Sequence, residues 1–101
     1  MILVRNVFQL KFGQAREALA AWKEGLAIAE RLGMPRARVR MLTDLAGPDF
    51  YTLVFEATYG SLADFEEQAK RLMADPAWQA WYPKVGALST GGHREIFTIV
   101  E

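Results

Sequence analysis

The sequence predicts an α+β sandwich: one four-stranded antiparallel sheet with two main helices on one face, in the order strand, helix, strand, strand, helix, strand. Three observations predict it. A strand pattern from Ile2 to Phe12 runs through Gly13 straight into a long amphipathic helix. Two further strand patterns flank the short Gly47-Pro48-Asp49 loop. A helix capped at Ser61 then leads to a last alternating stretch, His93 to Glu101. No repeat, linker or low-complexity tract interrupts residues 1–101, which read as a single domain.

The first strand sets Ile2, Val4, Asn6, Phe8, Leu10 and Phe12 on one face and Leu3, Arg5, Val7, Gln9 and Lys11 on the other. The second face keeps Leu3 and Val7, so it too calls for cover. From Gln14 to Leu32, the stripe Ala15, Ala18, Leu19, Trp22, Leu26, Ala29 and Leu32 recurs at steps of three and four, and this is the helix face that lies on the sheet. Gly33 is the expected C-terminal cap, and Pro35 prevents resumption.

Arg36 to Ala46 and Phe50 to Tyr59 form the expected hairpin. Placing Ala46 opposite Phe50 puts Ala37, Val39, Met41 and Leu45 on the face of Tyr51, Leu53, Phe55, Ala57 and Tyr59. Arg38 and Arg40 then share the other face with Glu56. A slip of one residue would drive arginines into the aromatic row, which is costly to bury. Ser61, with Asp64 three residues on, begins the second helix, whose expected buried stripe is Leu62, Phe65, Ala69, Leu72 and Met73. Asp75-Pro76 starts a short helical turn carrying Trp78, Trp81 and Tyr82. Pro83, Gly86 and Gly91-Gly92 punctuate the passage to the last strand, where both faces are apolar.

Composition narrows the function classes. Twelve Lys and Arg balance twelve Asp and Glu, which removes the electrostatic case for binding nucleic acid or an anionic membrane. The chain has no cysteine, so disulfides, thiolate metal sites and a cysteine nucleophile are excluded. With one histidine and no motif for a cofactor, none is expected. No signal-peptide pattern or membrane-length apolar run is present, and a cytoplasmic address is expected.

The order of elements, Asn6 in the first strand, Gly13 at the strand-to-helix turn, the Gly47-Pro48-Asp49 hairpin, Ser61-Leu62-Ala63-Asp64-Phe65 and Asp75-Pro76-Ala77-Trp78 resemble the dimeric α+β barrel superfamily. The nearest branches are NIPSNAP-type proteins and antibiotic-biosynthesis-monooxygenase-like domains. The resemblance covers essentially the whole chain and implies a ferredoxin-like domain, a homodimer joined through its sheet faces, and a pocket in each subunit between sheet and helices. It agrees with strands that are apolar on both faces.

Asn6 is a lone amide on an apolar strand face and must find a hydrogen bond. Either a neighbouring backbone group or a buried water satisfies it, or, as the resemblance implies, it holds a ligand group. Trp78, Trp81 and Tyr82 complete the candidate binding set, the tryptophans as pocket walls and Tyr82 as a donor to a carbonyl or phenolate. Aromatic residues at helical spacing are more often core, and Trp22 is assigned there. His93 sits where a solvated surface histidine is expected; haem-binding members take their axial histidine near the second helix, where this chain has Gln68 and Gln79. Arg36, Arg38 and Arg40 on an edge strand discourage unwanted strand pairing, or bind an anion.

The resulting reading is a NIPSNAP-like protein of uncharacterised activity that binds a small, aromatic molecule between sheet and helices. One alternative is a cofactor-independent monooxygenase acting on an aromatic or quinol-like substrate, with Asn6 orienting a substrate oxygen. The other is a purely structural or protein-interaction module. RNA-recognition motifs share the order of elements, but Leu3 stands where a base-stacking aromatic is needed and no basic excess grips phosphates.

Overall fold

The computed structural model describes residues 1–101. Strand β1 (Ile2–Leu10) leads into helix α1 (Ala15–Arg31), the hairpin of β2 (Val39–Thr43) and β3 (Thr52–Tyr59), helices α2 (Leu62–Ala74) and α3 (Pro76–Gly86), and strand β4 (Ser89–Thr98). The strands pair antiparallel in the order β2-β3-β1-β4, so β1 is central and β2 and β4 are edges. This is the expected ferredoxin-like arrangement, with a third helix where a short turn was expected.

The hairpin register is the one expected from the arginine and aromatic rows, with Val39 opposite Ala57 and Met41 opposite Phe55. Leu53, Phe55 and Ala57 therefore face the helices and are buried with Ala18, Trp22, Leu26, Ala29, Trp81 and Val85. At the end of α1, Gly33 takes a φ of +99°, which glycine adopts without a Cβ penalty. The Met34 N–H then returns to the Ala29 carbonyl at 3.0 Å and the Gly33 N–H to that of Glu30, which satisfies carbonyls the helix end would orphan.

Several boundaries differ from expectation for local reasons. β1 stops at Leu10 instead of Phe12, because its pairing with β4 shifts between Gln9 and Leu10. Phe12 is left 83% exposed against the Tyr51 ring. Arg36–Arg38 form a 3-10 turn and no strand, so the three arginines make no single row; Arg36 pairs with Glu30, and only Arg40 reaches Glu56. The hairpin loop is wider than Gly47-Pro48-Asp49. Asp44 Oδ1 accepts the Thr52 N–H at 2.7 Å and ends the ladder, so Leu45 and Phe50 lie exposed. On α2, Ser61 caps as expected, its Oγ accepting the Asp64 N–H at 3.2 Å, but Leu62 and Met73 are exposed while Gln68 is buried.

Pro83 lies inside α3, and Gly91 and Gly92 lie inside β4, which begins at Ser89 and puts His93 in mid-strand. Gly92 is required there. A Cβ on it would stand 2.6 Å from the Val7 carbonyl oxygen of the neighbouring strand. No helix is long and apolar enough to cross a membrane.

Asp75 joins two helices and anchors a third. Its Oδ1 accepts the N–H groups of Ala77 and Trp78 at the start of α3, and the Arg31 guanidinium at the end of α1. Desolvation pushes its carboxyl up, but the Trp78, Arg31 and Ala77 hydrogen bonds outweigh it and hold the group below the ordinary aspartate value. A folded-state pKa below the unfolded one stabilises above about 3.8, and that contribution fades as pH falls through the lowered value. Urea denaturation of wild type and Asp75→Asn is expected to show a stability gap that is constant at neutral pH and closes in acid. A gap independent of pH would show that the charge contributes nothing.

Candidate functional site

The space between sheet and helices is filled at one end and open at the other. Helix α3 crosses α1, and the Trp81 indole, 5% exposed, donates from Nε1 to the Ala21 carbonyl at 2.6 Å. Its ring lies 5.0 Å, edge on, from Trp22 and 4.5 Å from the half-buried Trp78. Trp22 in turn meets Phe8 at 4.9 Å and Phe55 at 5.1 Å. The result is a continuous aromatic layer from α3 to the sheet.

Beyond that layer, where α3 ends and β4 begins, a cleft of about 400 Å³ opens, lined chiefly by Phe8, Trp22, Tyr82, Val85, Ser89 and Gly92. The absence of a side chain at Gly92, opposite Phe8 in the ladder, leaves this edge of the sheet bare. Ser89 Oγ is already committed to the Val85 carbonyl at 3.2 Å. The Trp22 indole differs: its Nε1–H is buried and has no acceptor. An unpaired buried donor costs about 1–3 kcal/mol. An acceptor atom supplied by a bound molecule would relieve that cost.

The four residues singled out in the sequence fall in different surroundings. Tyr82 is in the cleft wall, 57% exposed at its rim. Trp81 is in the core behind Trp22, and Trp78 packs on Trp81 away from the cleft lining. Asn6 faces the helices two residues from Phe8, roughly 7 Å along the strand. Its Oδ1 accepts Arg94 Nε at 2.7 Å, and that guanidinium lies 5.2 Å from the Phe65 ring centroid. A neighbouring side chain thus satisfies the Asn6 carbonyl. Trp22, assigned to the core from its stripe, is both core and cleft wall. Only the start of β4, misplaced by its glycines, could have shown this.

On the helix-free face of the sheet, Glu56 is 3% exposed yet charged partners surround it. It accepts Arg5 Nε at 3.1 Å and the Arg40 guanidinium, while Arg5 also donates to Glu95 at 2.8 Å. His93 Nε2 lies 3.1 Å from the second oxygen of Glu95 and is otherwise exposed. Around these charges stand Leu3, Val7, Leu42, Val54 and Phe97. No three His, Asp or Glu side chains converge as a metal site.

Comparison with known proteins gives a consistent result. The NIPSNAP family model matches residues 5–100. A solved NIPSNAP family protein from Agrobacterium tumefaciens is 25% identical, with a TM-score of 0.87 over 99% of this chain and 86% of the other. A second from the same organism, of unknown function, is 29% identical, with a TM-score of 0.84 over 96% and 86%. SnoaB of Streptomyces nogalater, a cofactor-independent oxygenase solved as its N63A mutant, is 19% identical, with a TM-score of 0.68 over 99% and 93%, a likeness of fold alone. No curated protein matches the sequence.

Proposed function

The chain belongs to the NIPSNAP family, and we propose that it binds a small, largely apolar aromatic molecule in the cleft between α3 and the sheet. The observation that carries this reading is Trp22, a wall residue of an otherwise apolar cleft whose Nε1–H is buried without an acceptor. A flat ring bearing a carbonyl or phenol oxygen matches both features, the ring against Phe8 and Val85 and the oxygen as acceptor. Sites of this kind are mostly apolar with few placed polar groups.

Titration with 1,4-naphthoquinone and its naphthol analogues, followed by tryptophan fluorescence, is expected to saturate. Naphthalene, which offers no acceptor oxygen, should bind more weakly by about tenfold, the equivalent of one hydrogen bond of about 1.4 kcal/mol. A Cβ at Gly86, in the cleft lining, meets no atom within 4 Å, so Gly86→Phe should fold normally and narrow the cleft. Unchanged uptake by that variant, or no saturation by any member of the series, would leave a structural module as the surviving reading.

The same chain is proposed to assemble as a homodimer through the helix-free face. Leu3, Val7, Leu42, Val54 and Phe97 give that face its apolar surface, and Arg5 and Arg40 neutralise Glu56 within the subunit, so docking need not strand a bare charge. A specific interface should bury on the order of 1,600 Å² in total. Sedimentation equilibrium at micromolar concentration is expected to give twice the 11.4 kDa chain mass. A monomer at that concentration would refute the assembly.

A further inference from the structure

A second cleft, of about 200 Å³, lies beside α2 and shares no lining residue with the first. Its walls are the turn after α1, the end of β3 and the α2 face bearing Asp64, Glu67, Gln68 and Arg71, which recur at helical spacing. Arg38 joins them from the 3-10 turn. The cleft therefore holds two guanidinium groups and two carboxylates, and none of the four takes part in an ion pair. Every ion pair in the chain lies elsewhere.

Opposite charges stand at the two ends of the cleft. Asp64 Oδ2 lies 2.8 Å from where a Cβ on Gly60 would stand, at one end. Arg71 Nη1 lies 3.8 Å from the corresponding point on Gly33, at the other, and the two residues are roughly 10 Å apart along the helix axis. Between them sits Gln68, 4% exposed, whose amide Nε2 is buried without an acceptor. A solvated face accounts for four exposed charges that stay apart, but not for the buried orphan amide among them. A simple anion would meet the carboxylates as well as the arginines, and a simple cation the reverse.

We infer that this cleft is a binding site for a small zwitterion, an amino acid, whose carboxylate takes Arg71, Arg38 and the Gln68 amide while its ammonium turns to Glu67 and Asp64. The volume, the room of about six or seven waters, suits a molecule of that size. Charge-assisted hydrogen bonds at both ends are the stronger kind, and the opposed charges impose the orientation.

The test is calorimetric titration of the full chain with alanine, acetate and methylammonium. Alanine is expected to saturate with a Kd of about 1 mM or tighter, and acetate and methylammonium to bind at least about tenfold more weakly. Arg71→Gln and Glu67→Gln, both at exposed positions, should each weaken alanine by about tenfold while leaving naphthoquinone uptake by the other cleft intact. Gln68→Met should weaken alanine while preserving or raising the melting temperature, since it deletes a buried donor that has no partner. Acetate binding as tightly as alanine, no saturation by alanine, or wild-type affinity in Arg71→Gln and Glu67→Gln would each overturn the assignment. Should Gln68→Met fail to fold, the two exposed variants still decide.

Discussion

Trp22→Ala is expected to lower the unfolding free energy by about 3–5 kcal/mol, measured by chemical denaturation, the range for deleting a large aromatic from a core. Trp22 is 5% exposed, and its ring meets those of Phe8 on β1, Phe55 on β3 and Trp81 on α3. Its removal leaves three rings without their common neighbour. They belong to different elements, so no single rotamer change refills the space, and partial collapse is what sets the size of such losses. One contribution acts the other way. The unpaired Nε1–H disappears with the ring, so Trp22→Phe should cost less than the lost volume alone predicts, and less than a tryptophan whose indole is bonded. A loss below about 1 kcal/mol for Trp22→Ala would place the ring among ordinary surface residues and would remove the aromatic layer as the organiser of the fold.

What the sequence made legible was whatever depends on period and charge. The hairpin register could be read because a slip by one would have buried arginines, and Arg40 does meet Glu56 across that ladder. The course from β1 through Gly13 into α1 could be read because alternation gives way to a three-four stripe at a glycine with a φ of +79°. What failed were places where one residue type serves two purposes. Pro83 reads as a stop but sits within α3, and Gly91-Gly92 reads as a break but lies in β4, where Gly92 relieves a clash with the Val7 carbonyl. Because the start of β4 defines the cleft, this error hid the cleft. The partner of Asn6 was hidden for a related reason: Arg94 is 88 residues away, and the pairing of β1 with β4 has no short-range signal. The hydrogen bond from Trp81 to the Ala21 carbonyl is likewise a product of how α3 crosses α1.

That crossing supplies the second large effect, at a residue that sequence alone would misjudge. Gly25 lies within α1, where glycine to alanine usually stabilises a helix by about 1 kcal/mol. Here the sign is expected to reverse. A Cβ on Gly25 would stand 2.2 Å from Trp81 Cζ2 and 2.6 Å from two more ring atoms, a contact no real side chain tolerates. The ring cannot step aside cheaply: its Nε1–H is held by the Ala21 carbonyl, and Trp22 and Trp78 pack against it. Over-packing of this kind costs about 1–3 kcal/mol and occasionally more, and this severe contact falls in the upper part of that range, so Gly25→Ala should lose about 1–2 kcal/mol once the helix gain is subtracted. A smaller ring at position 81 should relieve the clash. In a double-mutant cycle with Trp81→Phe, the two losses are expected to be less than additive by at least about 1 kcal/mol, a coupling typical of residues in direct contact. Additive losses would mean that Gly25→Ala acts through α1 alone. A stabilised Gly25→Ala would mean that α3 does not rest on this glycine.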